Sequence, residues 1–182
     1  MPGFSTRAIR AASRAPVVPQ PPVNVPIYQT STFEVTDAEE LAALLEYSRA
    51  GHSYTRNSNP THAVLEETLA ELEGAEAGLV TASGMAAIHG VVLSVLRSGD
   101  DLVMPRAVYG GMVGLAGSVL ERSGMGYRSV DTTDLAAVEA AIGPRTRLVW
   151  LETISNPTTA VADVAAISEV AHARGVLVAV DS

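Results

Sequence analysis

The sequence contains no cysteine and no lysine, and all twelve of its basic residues are arginine. Without cysteine there is no disulfide framework, no thiolate metal site and no thiol nucleophile, which suits a reducing compartment and makes the cytoplasm the expected location. Without lysine, no side-chain amine of this chain can form a Schiff base. Positive charge is scarce: the formal net charge is -8 and the sequence pI about 4.9. Phosphate-backbone binding needs clustered Lys and Arg, so a nucleic-acid partner is excluded and a small metabolite is the expected ligand. Long hydrophobic runs are also missing. Gly90–Leu96 and Gly175–Val180 are far short of the roughly 20 residues of a membrane helix, so no membrane span is expected. What is present is an apolar fraction of 47% over 182 residues, enough for one substantial core.

The first thirty-three residues carry Arg7, Arg10 and Arg14 and no acid, then run through Pro16, Pro19, Pro21, Pro22 and Pro26. An organellar transit peptide shares that composition, but the prolines and the lack of a clear amphipathic helix favour an extended arm lying on another surface. Thr36 with Glu39 has the form of a capping box, which predicts a helix from about Asp37 to Arg49 ended by Gly51. Asn59-Pro60 reads as a helix cap with proline at the first helical position. The helix it opens should turn Val64, Leu65, Leu69 and Leu72 to a core and Glu66, Glu67, Glu71 and Glu73 to water, and end at Gly74.

From Ala77 onward, short apolar runs alternate with helical stretches. Strands are expected at Leu79–Ala82, Leu102–Met104, Tyr127–Val130, Arg147–Leu151 and Val176–Val180, with helices opening near Gly84, Gly111, Asp134 and Val161. This alternation indicates an α/β fold with a parallel sheet covered on both faces. The organisation expected is an arm, helix and loop over residues 1–60, then an α/β domain over 61–182. That domain ends in a buried-looking strand, whereas domains usually close on exposed segments.

In such sheets ligands bind beyond the carboxyl ends of the strands, and that rule selects the candidate residues. Ser83 can cap a helix, and with Gly84 and Met85 it forms a helix start able to hold a phosphate, although an ordinary strand-turn-helix junction reads the same way. The stretch lacks the lysine and spacing of a P-loop, and Thr81 stands where a nucleophile elbow needs glycine. Gly111, Gly114 and Gly117 are three apart, so they suggest close helix packing and not a dinucleotide fingerprint. Tyr109, ahead of Gly110-Gly111, can stack on a planar ligand or pack as a surface tyrosine. Asn156, fixed before Pro157, can reach a ligand oxygen or cap a turn. Asp181 closes an apolar strand, where a carboxylate is costly unless paired or at a site rim; pairing with a protonated pyridine nitrogen would suit it. Tyr54 and Arg56 sit two apart in a polar loop, and Arg56 can clamp a phosphate or be a surface arginine.

Taken in order, Tyr54-Thr55-Arg56-Asn57-Ser58-Asn59-Pro60-Thr61, Ser83-Gly84-Met85-Ala86-Ala87-Ile88, Tyr109-Gly110-Gly111, Glu152-Thr153-Ile154-Ser155-Asn156-Pro157 and Val180-Asp181 resemble the motifs of the Cys/Met-metabolism (trans-sulfuration) enzymes that use pyridoxal 5'-phosphate (PLP). Ile27-Tyr28-Gln29-Thr30-Ser31-Thr32-Phe33 resembles their N-terminal arm. The resemblance implies the first part of the large domain of a fold type I, aspartate-aminotransferase-like PLP-dependent transferase. It implies β/γ-elimination or γ-replacement on sulfur-containing or homoserine-derived amino acids, of the cystathionine synthase or lyase type. Gly111 stands where methionine γ-lyases often have cysteine, which favours a synthase or cystathionine lyase.

Carried over by position, Gly84 and Met85, with Ser83, would hold the cofactor phosphate, Tyr109 would stack on the pyridine ring, and Asp181 would pair with its nitrogen. Asn156 would contact the cofactor's phenolic oxygen or the substrate carboxylate. Tyr54 and Arg56 would reach the phosphate of a neighbouring subunit, implying a dimeric active site and tetramers as pairs of dimers. The family's Schiff-base lysine, the Ser/Thr pair before it and the substrate-binding arginine correspond to positions beyond residue 182. The chain is accordingly expected to be an N-terminal portion that binds PLP noncovalently and does not turn over by itself. The other reading is a catalytically inactive fragment, or an interaction partner of a full-length relative. No metal site is expected.

Overall fold

The computed structural model describes residue 20 and residues 22–182. Arg7, Arg10 and Arg14, together with Pro16, Pro19 and Pro21, lie outside the described residues. The chain divides into two compact units, one ending at Val80 and the other spanning Thr81–Ser182; the sequence reading places a division after residue 60.

In the first unit, helix α1 spans Ala38–Leu45 and helix α2 spans Pro60–Glu73. The expected capping box of α1 is shifted by one residue. Asp37 is the cap and accepts from the Glu40 amide at 2.8 Å, while the Glu40 carboxylate reaches back to the Thr36 amide at 2.6 Å. Asp accepts from an amide as well as Thr does, and the reciprocal acid then falls on Glu40 and not Glu39. The helix stops at Leu45, short of Gly51, and the chain turns through Tyr47 at φ 56°.

Asn59 and Pro60 open α2 as expected, and Gly74 closes it at φ 64°, in the left-handed region that glycine enters without steric cost. The two faces of α2 depart from expectation. Val64, Leu65, Leu69 and Leu72 are exposed, since nothing among the described residues covers them. Glu66 does not simply face water: its carboxylate accepts from the Val80 amide at 2.8 Å. That bond also holds the segment expected to be the first strand. Leu79–Ala82 has no ladder partner among the described residues, and Leu79 is 84% exposed.

Asn59 does more than cap. It is 2% exposed, its Oδ1 accepts from the Thr61 amide at 2.8 Å, and its Nδ2 donates to the Tyr28 carbonyl at 2.9 Å and to Thr55 Oγ1 at 3.1 Å. One amide thereby ties the arm to the start of α2. The amides of Phe33 and Thr55 add main-chain bonds to Ser53 and Ser31.

The second unit is a four-stranded, fully parallel sheet in the order β2-β1-β3-β4. Its strands are β1 Asp101–Pro105, β2 Gly126–Val130, β3 Thr146–Glu152 and β4 Leu177–Asp181. Helix α3 is Gly84–Val95; α4 is Gly110–Leu115 and continues through a π turn, Ala116–Leu120, into a 3-10 turn, Glu121–Ser123. Helices α5, Leu135–Ala141, and α6, Val164–His172, are capped by Asp134 and Asp163. The last helix therefore opens three residues later than Val161, which instead pairs with Ile154 in an isolated antiparallel bridge.

Alternation along β1 and β3 divides the core in two. Leu102, Met104, Leu148 and Trp150 pack with Ile88, Val92 and Met112 from α3 and α4; Val103, Val149 and Leu151 pack with Val138 and Ile167 from α5 and α6. At the amino end of the sheet, Asp101 is 3% exposed and pairs with Arg145 at 3.2 Å and Arg128 at 4.0 Å.

Candidate cofactor site

The opposite, carboxyl end of the sheet carries the candidate residues. Ser83 Oγ accepts from the Ala86 amide at 3.1 Å and starts α3. The amides of Gly84 and Met85 are left without a protein acceptor among the described residues, as the first turn of a helix requires. A Cβ built on Gly84 would meet nothing within 4 Å, so an anion can approach the backbone there.

Tyr109 precedes α4 and is 44% exposed. Asn156 is exposed, and its side chain has no hydrogen-bond partner among the described residues. The Asp181 carboxylate is likewise exposed and unpaired, while its main-chain oxygen accepts from the Thr153 amide at 3.0 Å.

These residues line two adjoining clefts. One, of about 340 Å³, is bounded by Tyr109, Glu152, Asn156 and Asp181; the other, of about 680 Å³, by Ser83, Gly84, Met85, Tyr109, Trp150 and Asp181. Tyr109 and Asp181 belong to both. The structure thus brings Ser83, Gly84, Met85, Tyr109, Asn156 and Asp181 to one end of one sheet. Tyr54 and Arg56 lie in the first unit, where the Arg56 guanidinium sits 4.9 Å from the centre of the Tyr54 ring.

Two features of the site escape a reading of the sequence. Glu152 is 6% exposed and accepts from the Tyr109 amide at 2.6 Å and from the Asn156 amide at 2.9 Å. Its partner Tyr109 lies 43 residues away, so no local spacing signals the bond. Gly111 is the second. A Cβ there would run into the Tyr109 ring and the Met85 sulfur, whereas at Gly114 and Gly117 it would meet nothing within 4 Å. The three glycines therefore do not share a packing role; only Gly111 makes room, and it does so for the site.

The donor set suits a phosphorylated, cationic, planar group. Free amides can donate to an approaching anion, an aromatic ring offers a stacking surface, and an unpaired carboxylate can hold a positive ring nitrogen. Trp150 Nε1, buried in the wall of the larger cleft, is without a hydrogen-bond partner among the described residues, a donor that a ligand or water is needed to satisfy. Among the described residues no group of His, Asp and Glu could hold a metal ion, and no helix is long and apolar enough to cross a membrane.

The fold is that of part of a fold type I PLP-dependent enzyme. The sequence matches the Cys/Met metabolism PLP-dependent enzyme family over residues 5–182, and the chain belongs to that family. It is 40% identical to L-methionine gamma-lyase of Pseudomonas deceptionensis over 98% of its own length and 44% of that enzyme's. It is 42% identical to cystathionine gamma-synthase of Mycobacterium tuberculosis over 99% of its length and 44% of that enzyme's.

Among solved structures, cystathionine gamma-lyase from Lactobacillus plantarum, in complex with L-serine, superposes with a TM-score of 0.77 at 42% identity, covering 87% of this chain and 39% of that one. A Campylobacter jejuni structure described as an O-acetylhomoserine (thiol)-lyase and containing N'-pyridoxyl-lysine-5'-monophosphate gives a TM-score of 0.83 at 33% identity, covering 88% of this chain and 40% of that one. The chain spans less than half the length of these relatives, which are PLP enzymes of methionine and cysteine metabolism.

Proposed function

We propose that the protein acts in PLP-dependent elimination or replacement at the β- or γ-carbon of a sulfur-containing or homoserine-derived amino acid, as a cystathionine synthase or lyase. The observation that carries this reading is the convergence on one strand-end cleft of free helix amides, an aromatic ring and an unpaired carboxylate. In it, Ser83, Gly84 and Met85 hold the cofactor phosphate, and Tyr109 stacks on the ring and is placed to move a proton. Asp181 keeps the ring nitrogen protonated, and Asn156 contacts the phenolic oxygen or the substrate carboxylate. When bound, PLP supplies an electron sink for a carbanion formed on the amino acid.

In the same reading, Tyr54 and Arg56 serve the phosphate of a neighbouring subunit in a homo-oligomer, dimeric at the active site and tetrameric overall. The described part of residues 1–60 then forms the arm, helix and inter-subunit loop, and residues 61–182 the start of the cofactor domain. The absence of cysteine suits a cytoplasmic setting. Because the chain has no lysine, its own residues bind the cofactor noncovalently.

Trp150 is the one tryptophan of the sequence and lines the cleft, so its fluorescence reports occupancy. Titration with PLP should quench it saturably, inorganic phosphate should compete, and Asp181→Ala should weaken binding about tenfold, the loss of one charge-assisted bond. Equal quenching by pyridoxal, which lacks the phosphate, or none by PLP, would remove the reading.

A further inference from the structure

Glu152 occupies an unusual place in the site: it ends β3, is buried, and neither of its oxygens faces the cleft unoccupied. Oε1 accepts from the Tyr109 amide at 2.6 Å and Oε2 from the Asn156 amide at 2.9 Å. One rigid, planar group thereby fixes the spacing between the loop after β1, which carries Tyr109, and the loop after β3, which carries Asn156. A second bond runs between the same loops, since Ser155 Oγ donates to the Ala107 carbonyl at 2.6 Å. The third loop partner is tied in next door, where the Thr153 amide donates to the Asp181 carbonyl at 3.0 Å.

We propose that Glu152 is a positioning residue, which sets the Tyr109 ring against Asn156 and Asp181 so that a planar cofactor meets all three at once. This rests on the PLP reading above. Only a carboxylate fulfils the role. Two N–H donors need two acceptor atoms at the spacing of one carboxyl group, and a glutamine offers one acceptor and one donor. Glu152→Gln therefore keeps the volume and one bond, and turns an N–H group against the other amide. Removing a methylene, as in Glu152→Asp, draws the group back from both loops.

The test has a cofactor-free arm and a ligand arm. In the wild-type chain the Tyr109 and Asn156 amides should be protected from hydrogen exchange although both residues are exposed at the surface. In Glu152→Gln, one of the two should exchange about tenfold faster, with the amides of β1 and β3 unchanged. PLP affinity, read by Trp150 quenching, should fall about tenfold while the affinity for inorganic phosphate stays the same, because the amides of Gly84 and Met85 do not depend on Glu152.

Unprotected Tyr109 and Asn156 amides in the wild type would overturn the proposal without any variant. So would a Glu152→Gln chain that binds PLP as the wild type does, or one that loses phosphate and PLP binding in equal measure. Failure of PLP to quench the wild type would remove the cofactor reading and with it the role assigned here, while protection of both amides would show that the clamp itself exists.

Discussion

At the scale of single residues, this protein repeatedly uses one polar group to serve two segments. Asn59 caps α2 with its oxygen and holds the arm with its nitrogen. Asn59→Ala should cost about 1–2 kcal/mol in chemical denaturation, the usual loss for a helix cap. Asn59→Asp should keep the cap but lose both donors, so that the Tyr28 region becomes susceptible to proteolysis while α2 stays folded. Gly111→Ala tests the other tight point: overpacking of the Tyr109 ring and Met85 should cost about 1–3 kcal/mol and weaken PLP binding, measured by thermal unfolding and fluorescence titration. The sequence pattern places Tyr109, Asn156 and Asp181 at or just after strand ends, and they lie there in the structure; Ser83 and Gly84 lie at the start of α3, which the capping serine marks, although no strand precedes them among the described residues. Glu152 was not legible in the sequence. A glutamate after a buried strand reads as the strand's end, and its partner is brought to it only by the parallel alignment of β1 and β3.

Among the elements, the buried strands β1 and β3 were the easiest to read, since a run apolar on both faces has few other uses. Helix starts follow the sequence pattern to within a few residues; α6 opens late because Val161 is taken into a bridge with Ile154, and at α1 the cap falls on Asp37 and not on Thr36. That cap carries a pH dependence. The Thr36 amide, above all, and then its hydroxyl and Arg49, hold the Glu40 carboxyl below its usual range. The Thr133 hydroxyl and then its amide, with Arg106, do the same for Asp131. A carboxyl depressed in the folded chain contributes its stability above the unfolded value and loses it as pH falls through the folded one. The start of α1 should therefore loosen as pH falls below the ordinary glutamate range, and Glu40→Gln should remove the transition, followed by the Thr36 amide resonance. The run at Leu79–Ala82 forms no strand among the described residues, because an apolar stretch states a preference for burial and not the presence of a partner strand.

For the molecule as a whole, the acidic balance of this chain and its lack of clustered cations weigh against a phosphate backbone as partner, and among the described residues no helix is long and apolar enough to cross a membrane. Exposure was harder to foresee: periodicity marks the apolar face of α2 but not what lies against it. In the homo-oligomer proposed above, Leu69 and Leu72 would be covered by another copy. Leu69→Glu with Leu72→Glu should then lower the sedimenting mass of the assembly without changing its helix content, and an unchanged mass would place the contact elsewhere. A parallel sheet has two unlike rims. On one, Asp101 gathers Arg145 and Arg128 around a buried charge; on the other, the first turn of α3, the loops after β1 and β3 and the end of β4 bring together Ser83, Gly84, Met85, Tyr109, Asn156 and Asp181. Substitutions on the first rim should change how much folded protein a cell accumulates, and those on the second what that protein does. Such a division lets a lineage exchange one chemistry for another by rewriting loops, while the far edge of the same strands stays under a separate and slower selection.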